Sequence, residues 1–266
     1  MRVGMVGRFF AGNWRPPADE ISFAAGAGFD AIQIRSDRAG AIEELLRADL
    51  AGMREQLESA DVEPVLEMLV RVDGDGRTAD GDTVTEALAR NLAAIAALGI
   101  RLVHVHPVRA HRRDGTALER RLVPALAEAA ALAGEHGLVL AVEHNDADHV
   151  LFARPEACEE LLDTVPELGF VWDVNHTAPD DLAAFERLLP RATLVHVSDT
   201  PLPETNHHLP LGRGSVDFAG VASALERSGF DGPAILEIGG LPRSGGYGLD
   251  TDEALRDSLA RLREAR

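Results

Sequence analysis

Four apolar segments in the second half of the chain each end beside a residue that can bind a metal ion. These segments are residues 138–142 before Glu143, 170–172 before Asp173, 194–195 before His196 and 234–236 before Glu237. Short apolar runs bounded by turn residues are typical of buried parallel strands. In a barrel of alternating strands and helices, the carboxyl ends of the strands gather at one face. The sequence therefore predicts four metal-binding side chains at one end of a barrel.

The same alternation extends over the whole chain. Strands are predicted at residues 3–6, 31–34, 63–70, 101–106, 139–143, 170–173, 193–197 and 234–238. Helices are predicted at residues 19–27, 40–60, 83–98, 116–136, 155–164, 180–189, 217–228 and 251–263. Eight strand–helix units with parallel crossovers favour a single α/β domain over residues 1–266, a (β/α)8 TIM barrel. The longest irregular stretch, residues 198–215, is predicted to be a functional loop.

Composition excludes several classes of function. The net charge of -18 opposes binding to nucleic acid, which depends largely on neutralising phosphates. All 26 basic residues are arginine, so catalysis through a lysine Schiff base is excluded. Cys158 is the only cysteine and cannot form an intrachain disulfide, which fits a reducing compartment. We interpret it as a packing residue.

The amino terminus lacks a signal-peptide pattern, and no apolar run approaches the length of a membrane span. We therefore expect a cytoplasmic protein that binds a small molecule, without a nucleic-acid or membrane partner. The sequence leaves a homo-oligomer open. Two glutamates, one aspartate and one histidine suit one divalent cation, with Mn²⁺, Mg²⁺, Co²⁺ and Zn²⁺ all compatible with these ligands.

Five motifs carry a resemblance to a known family. They are Glu-His-Asn at 143–145, Asp-Val-Asn-His at 173–176, His-Val-Ser-Asp at 196–199, the Gly-rich loop at 208–218 and Leu-Glu-Ile at 236–238. With this strand order, the chain resembles the sugar isomerase/epimerase superfamily of xylose isomerase-like barrels. That superfamily also contains D-tagatose 3-epimerase-like enzymes, inosose dehydratases and endonuclease IV.

The resemblance implies a metal site made by Glu143, Asp173, His196 and Glu237, with Mn²⁺ as the preferred ion. It also implies that Glu143 and Glu237 exchange protons with a sugar or keto-polyol substrate, through a metal-stabilised enediolate. Their strands, the fifth and the eighth, lie apart on the barrel rim. His176 is implied to contact substrate oxygen atoms.

Four further residues are predicted to bind substrate: His106, His208, Arg213 and Glu67. His106 could instead bind a second metal ion or pack structurally, and Arg213 could form a surface ion pair. The three-metal set of endonuclease IV is incomplete. Asn206 stands where that enzyme has aspartate, and Glu67-Met68-Leu69 stands where it has a histidine.

The predicted activity is therefore a metal-dependent isomerisation or epimerisation beside a carbonyl group. A lyase with the same enolate chemistry is the nearest alternative, by inosose-type dehydration or by cleavage of a keto-glycoside. An endonuclease IV-like phosphodiesterase and a non-enzymatic binding module are less favoured alternatives.

Overall fold

The computed structural model shows a closed barrel of eight parallel strands surrounded by helices. It describes residues 1–10, 12–36, 42–109, 115–147, 149, 151–240 and 244–265. The barrel strands are β1 Arg2–Val6, β2 Ala31–Ser36, β3 Glu63–Val72, β4 Leu102–Arg109, β5 Val139–Glu143, β6 Gly169–Asp173, β7 Ala192–Val197 and β8 Pro233–Leu236. Each strand pairs with the next along the chain, and β8 closes the barrel on β1. The predicted (β/α)8 barrel is confirmed.

The helices of the described residues lie outside the barrel. They are α1 Pro17–Ala27, α2 Ile42–Leu46, α3 Leu50–Ala60, α4 Val84–Leu98, α5 Gly115–Glu135, α6 Pro155–Thr164, α7 Leu182–Glu186, α8 Phe218–Ser228 and α9 Asp252–Glu264. Local sequence signals set several of their ends. Thr83 and Glu86 form a capping box at the start of α4, and Gly99 ends that helix in the left-handed conformation.

Two predicted helices were wrong in detail, and one small element was missed. The helix predicted at residues 40–60 is divided into α2 and α3, because Asp49 caps a new helix after Arg47 adopts a positive φ. Residues 40 and 41 lie outside the described part. The helix predicted at 180–189 shortens to α7, between 3₁₀ turns that contain Pro179 and Pro190. A small hairpin, Phe9–Phe10 with Asn13–Trp14, was not predicted.

Side chains two residues apart on a strand face the same side, and this spacing builds two layers inside the barrel. The floor layer has one apolar residue from each strand: Val6, Ala31, Val65, Leu102, Ala141, Val171, Leu194 and Ile235. The polar layer lies two residues further along seven of these strands: Gln33, Glu67, His104, Glu143, Asp173, His196 and Glu237. On β1 the equivalent residue is Arg8, which pairs with Glu20 of α1.

Within the described parts of the chain, no helix combines the length and the apolar character that crossing a bilayer requires.

Candidate metal centre

The structure brings together the four predicted metal ligands. Ligand atoms of Glu143, Asp173, His196 and Glu237 all lie within 4.8 Å of one another. The imidazole of His196 lies between the two glutamates. Its Nδ1 is 3.1 Å from Glu143 Oε1 and 3.3 Å from Glu237 Oε2. All four residues are buried, so bulk water solvates their charges only weakly.

Each of the three carboxylates has one oxygen without a hydrogen-bond partner among the described residues. These atoms are Glu143 Oε2, Asp173 Oδ2 and Glu237 Oε2. A buried carboxylate oxygen left without a partner is costly, and such groups in native proteins bind partners or ions. Three such oxygens beside one imidazole form a donor set that fits a divalent cation such as Mn²⁺ or Zn²⁺. The residues present therefore fit the implied metal.

The electrostatics of the cluster favour a positive charge at its centre. Burial lowers the pKa of His196, but Glu143 and Glu237 outweigh burial and raise it to about 10. Burial raises the pKa of Glu143, but His106 and His196 hold it well below its usual range. Burial, together with repulsion by Glu143, raises the pKa of Asp173 to about 7. The attraction of His196 opposes this rise. Concentrated negative charge of this kind is what a cation would neutralise.

His176 follows the cluster on a 3₁₀ turn, Val174–His176. Its Nδ1 is 3.0 Å from Asp173 Oδ2 and 3.1 Å from the carbonyl oxygen of His144. The backbone carbonyl of His144 can only accept a hydrogen bond, so Nδ1 carries the proton and Nε2 remains an acceptor. The ring is therefore oriented to receive a hydrogen bond from a hydroxyl group.

His106 and His208 lie on two other sides of the cluster. His106 Nδ1 is 3.4 Å from Glu143 Oε2, and its Nε2 is 2.9 Å from Asn145 Oδ1. His106, Glu143 and His176 also place ligand atoms within 4.8 Å of one another. His208 has both ring nitrogens against protein oxygens, the Glu237 carbonyl at 3.1 Å and Asn206 Oδ1 at 2.8 Å.

A cavity of about 660 Å³ opens above the cluster. Its lining includes the predicted residues His106, His176, His208 and Glu237, together with Arg35, Arg71, Leu69, Asn145, Asp146 and His149. The irregular stretch predicted to be functional contributes residues 205–208. Most of the lining residues carry polar side chains, which can exchange hydrogen bonds with a hydroxylated small molecule.

Two predicted substrate-binding residues do not line this cavity. Arg213 is exposed and is absent from the lining of the cavity, and its neighbour Gly212 donates its backbone N–H to Asp199. Glu67 is fully buried below the cavity, where it contacts Arg35 Nε at 3.2 Å. Burial raises the pKa of Glu67, but Arg35 and His106 lower it to about 2. Direct substrate contact by Glu67 and Arg213 stays a prediction.

Sequence reasoning missed Gln33, which lies in the middle of β2. Its Nε2 donates to Glu67 Oε2 at 2.8 Å, and its Oε1 lies 2.9 Å from His196 Nε2. The missed signal was a single amide side chain within an apolar strand segment, Ala31–Ser36. The prediction considered residues at strand ends, whereas the polar layer crosses β2 before its end.

The sequence profile of the xylose isomerase-like TIM barrel family matches residues 21–265. The chain belongs to this family. No curated protein matches the chain.

Solved structures of similar proteins agree with the xylose isomerase-like fold. The D-psicose 3-epimerase of Clostridium cellulolyticum H10, solved with D-tagatose, is 16% identical with a TM-score of 0.79, over 100% of this chain and 99% of that one. The IolI protein, solved with a zinc atom, is 20% identical with a TM-score of 0.78, over 100% and 98%. The 3-keto-D-glucoside 4-epimerase YcjR of E. coli is 18% identical with a TM-score of 0.76, over 99% of each chain.

Proposed function

We propose that this protein is a divalent-metal-dependent epimerase or isomerase that acts on a keto-sugar or a sugar-like keto-polyol. The observation that carries the proposal is the cluster of three carboxylates around His196, each with one buried oxygen that lacks a hydrogen-bond partner in the part of the chain that the structure describes. Similar folds solved as sugar epimerases, and the zinc in the IolI structure, support the same chemistry.

Glu143, Asp173, His196 and Glu237 would hold the cation. When bound, a divalent cation polarises a substrate carbonyl and makes the neighbouring C–H group more acidic. Burial of the four residues limits the water that would compete for the substrate oxygens. The charge and the donor types do not select among Mn²⁺, Mg²⁺, Co²⁺ and Zn²⁺.

Glu143 and Glu237 are the proton-transfer pair of this proposal. Both carboxylates lie close to His196 Nδ1. Glu143 comes from the end of β5 and Glu237 from just after β8. A substrate carbon between them would therefore meet a carboxylate on each side. One carboxylate removes the proton beside the carbonyl and the other returns a proton to the opposite face, which inverts the carbon centre.

The cavity residues would orient the substrate. His176 Nε2 can accept a hydrogen bond from a hydroxyl, because Nδ1 donates its proton to the carbonyl oxygen of His144. His106 lines the cavity beside Glu143 and its Nε2 is fixed by Asn145. A pocket of about 660 Å³ has room for a monosaccharide and for a second substituent.

Proton exchange tests the reaction. The wild-type protein, loaded with Mn²⁺, is incubated in D₂O with D-tagatose, D-allulose and a 3-keto-D-glucoside, and deuterium at the carbon beside the carbonyl is measured by NMR. We expect exchange with at least one of them. Glu143→Gln and Glu237→Gln should each reduce turnover by about 10²–10⁴-fold, because an amide of the same shape cannot take the proton.

Glu119→Gln is the matched control. Glu119 is also buried, but it accepts a hydrogen bond from the backbone of Phe152 instead of belonging to the cluster. An epimerase should need both cluster glutamates. If the protein instead eliminated a β-substituent, and only one of the two glutamates was essential for that reaction, the protein would be the lyase. Cleavage of abasic DNA without exchange into any sugar would replace the proposal with the phosphodiesterase.

A further inference from the structure

Gln33 occupies a position in the polar layer where it contacts both a carboxylate and two histidines. Its side chain is fully buried. The amide Nε2 donates to Glu67 Oε2 at 2.8 Å, and the amide Oε1 lies 2.9 Å from His196 Nε2 and 3.3 Å from His104 Nε2. One side chain on β2 therefore connects the ligand from β7 with residues from β3 and β4.

The chemistry of these partners fixes the direction of the amide. The carboxylate of Glu67 can only accept hydrogen bonds, and Arg35 at 3.2 Å keeps it charged. The NH₂ group of Gln33 must therefore face Glu67, which leaves its carbonyl oxygen facing His196. An amide oxygen can only accept, so His196 Nε2 must carry a proton.

The other nitrogen of the ring faces the proposed metal. His196 Nδ1 lies 3.1 Å from Glu143 Oε1 and 3.3 Å from Glu237 Oε2, within the four-residue cluster. We propose that Gln33 is a positioning residue that holds His196 in the Nε2–H tautomer, so that the Nδ1 lone pair binds the metal. This inference rests on the metal site of the proposed function.

The opposite tautomer would conflict with the Gln33 carbonyl at one nitrogen and with the proposed metal at the other. Its Nε2 lone pair would face the Gln33 carbonyl oxygen at 2.9 Å, where two acceptors repel. Its Nδ1 proton would occupy the direction of the metal. Partners that orient a ligating histidine typically affect metal affinity by about 10–100-fold, and Gln33 is placed to have this effect.

Metal affinity of Gln33 variants provides the first test. In Gln33→Leu, a side chain of similar size removes both the acceptor for His196 and the donor to Glu67. We expect Zn²⁺ and Mn²⁺ affinity, measured by competition with a chromophoric chelator, to fall by about 10–100-fold. Asn91→Leu is the matched control, because Asn91 is a buried amide of α4 that bonds only the Ala87 carbonyl among the described residues.

A charge-preserving double variant separates positioning from simple loss of a polar group. In Gln33→Glu with Glu67→Gln, the new amide at 67 donates to the new carboxylate at 33, which still accepts from His196 Nε2. The total charge of the polar layer is unchanged. We expect this pair to recover most of the affinity that Gln33→Leu loses, whereas a general packing role for Gln33 predicts no such recovery.

The tautomer itself can be measured without any variant. In the Zn²⁺-loaded wild-type protein with ¹⁵N-labelled histidine, we expect the His196 ring to carry its proton on Nε2 and to bind zinc through Nδ1. Binding through Nε2, or equal affinity of wild type and Gln33→Leu, would overturn the role of Gln33 alone. Failure of the wild type to bind metal would overturn the metal site and this inference together. Normal metal binding without deuterium exchange would refute only the proposed reaction.

Discussion

The floor layer and the polar layer of the barrel occupy equivalent positions two residues apart, yet they have opposite chemistry. All eight residues of the floor layer are apolar and buried. All seven residues of the polar layer can donate or accept hydrogen bonds or carry charge, and they are equally buried. The strands supply the same geometry to both layers, so the side chains alone decide which layer stabilises the barrel and which can react.

The contrast between the two layers shows how this fold separates stability from function. The floor layer gains free energy through apolar burial, at about 25 cal/mol per Å² removed from water. The polar layer loses solvation and recovers only part of it, because several of its oxygen and nitrogen atoms lack hydrogen-bond partners in the described structure. A layer that is incompletely satisfied on its own is suited to binding a cation and a substrate.

The largest effect should come from comparing His196, a proposed metal ligand of the polar layer, with His176 beside it. His196→Ala should lose most of the bound metal, and turnover should fall by at least about 10²–10⁴-fold because the proton-transfer chemistry fails with it. His176→Ala should keep the metal and lose about tenfold in turnover, the effect of one lost hydrogen bond of about 1.4 kcal/mol. Elemental analysis and steady-state kinetics measure both effects. Complete metal loss in His176→Ala would make that residue a ligand.

A substitution in the floor layer should reduce stability and leave metal binding unchanged. Ile235 is fully buried two residues before Glu237, and Ile235→Ala should reduce the free energy of unfolding by about 2–5 kcal/mol through the cavity it leaves. Metal stoichiometry should remain that of the wild type. Denaturant unfolding measures the loss, with Val139→Ala as the control at a 46% exposed site. A metal-depleted but fully stable Ile235→Ala would contradict the separation of the layers.

Metal should stabilise the barrel through the polar layer. A cation that binds only the folded protein adds about 2.7 kcal/mol at a free concentration one hundred times its dissociation constant. Thermal unfolding with Mn²⁺ or Zn²⁺, and then with a chelator, should show a melting temperature that rises and falls accordingly. His196→Ala should show no rise. An equal rise in that variant would place the bound metal elsewhere on the protein.

The predictability of the fold and of the site differed for a physical reason. Apolar runs between turn residues predicted all eight barrel strands, because burial of both strand faces constrains those positions strongly. The ends of the last four strands also predicted the residues that the structure gathers around His196. Gln33 escaped prediction because its role depends on contacts with β3 and β7, which no local pattern records. Arg213 was selected through a motif, but a motif does not record whether a loop residue lines the cavity.

The smallest effect is expected at Arg213, and it tests where the functional region ends. This arginine is exposed, lies outside the lining of the cavity and follows Gly212, which has a φ of 85°. Arg213→Ala should therefore change stability by no more than about 0.5 kcal/mol and leave turnover within about twofold of wild type. Arg35→Ala offers a contrast, since Arg35 lines the cavity and contacts both Glu67 and Glu237. The contrary result would be that Arg213→Ala raises KM as much as Arg35→Ala does. That result would mean that the loop moves its arginine over the cavity during catalysis. The substrate site would then extend beyond the two layers.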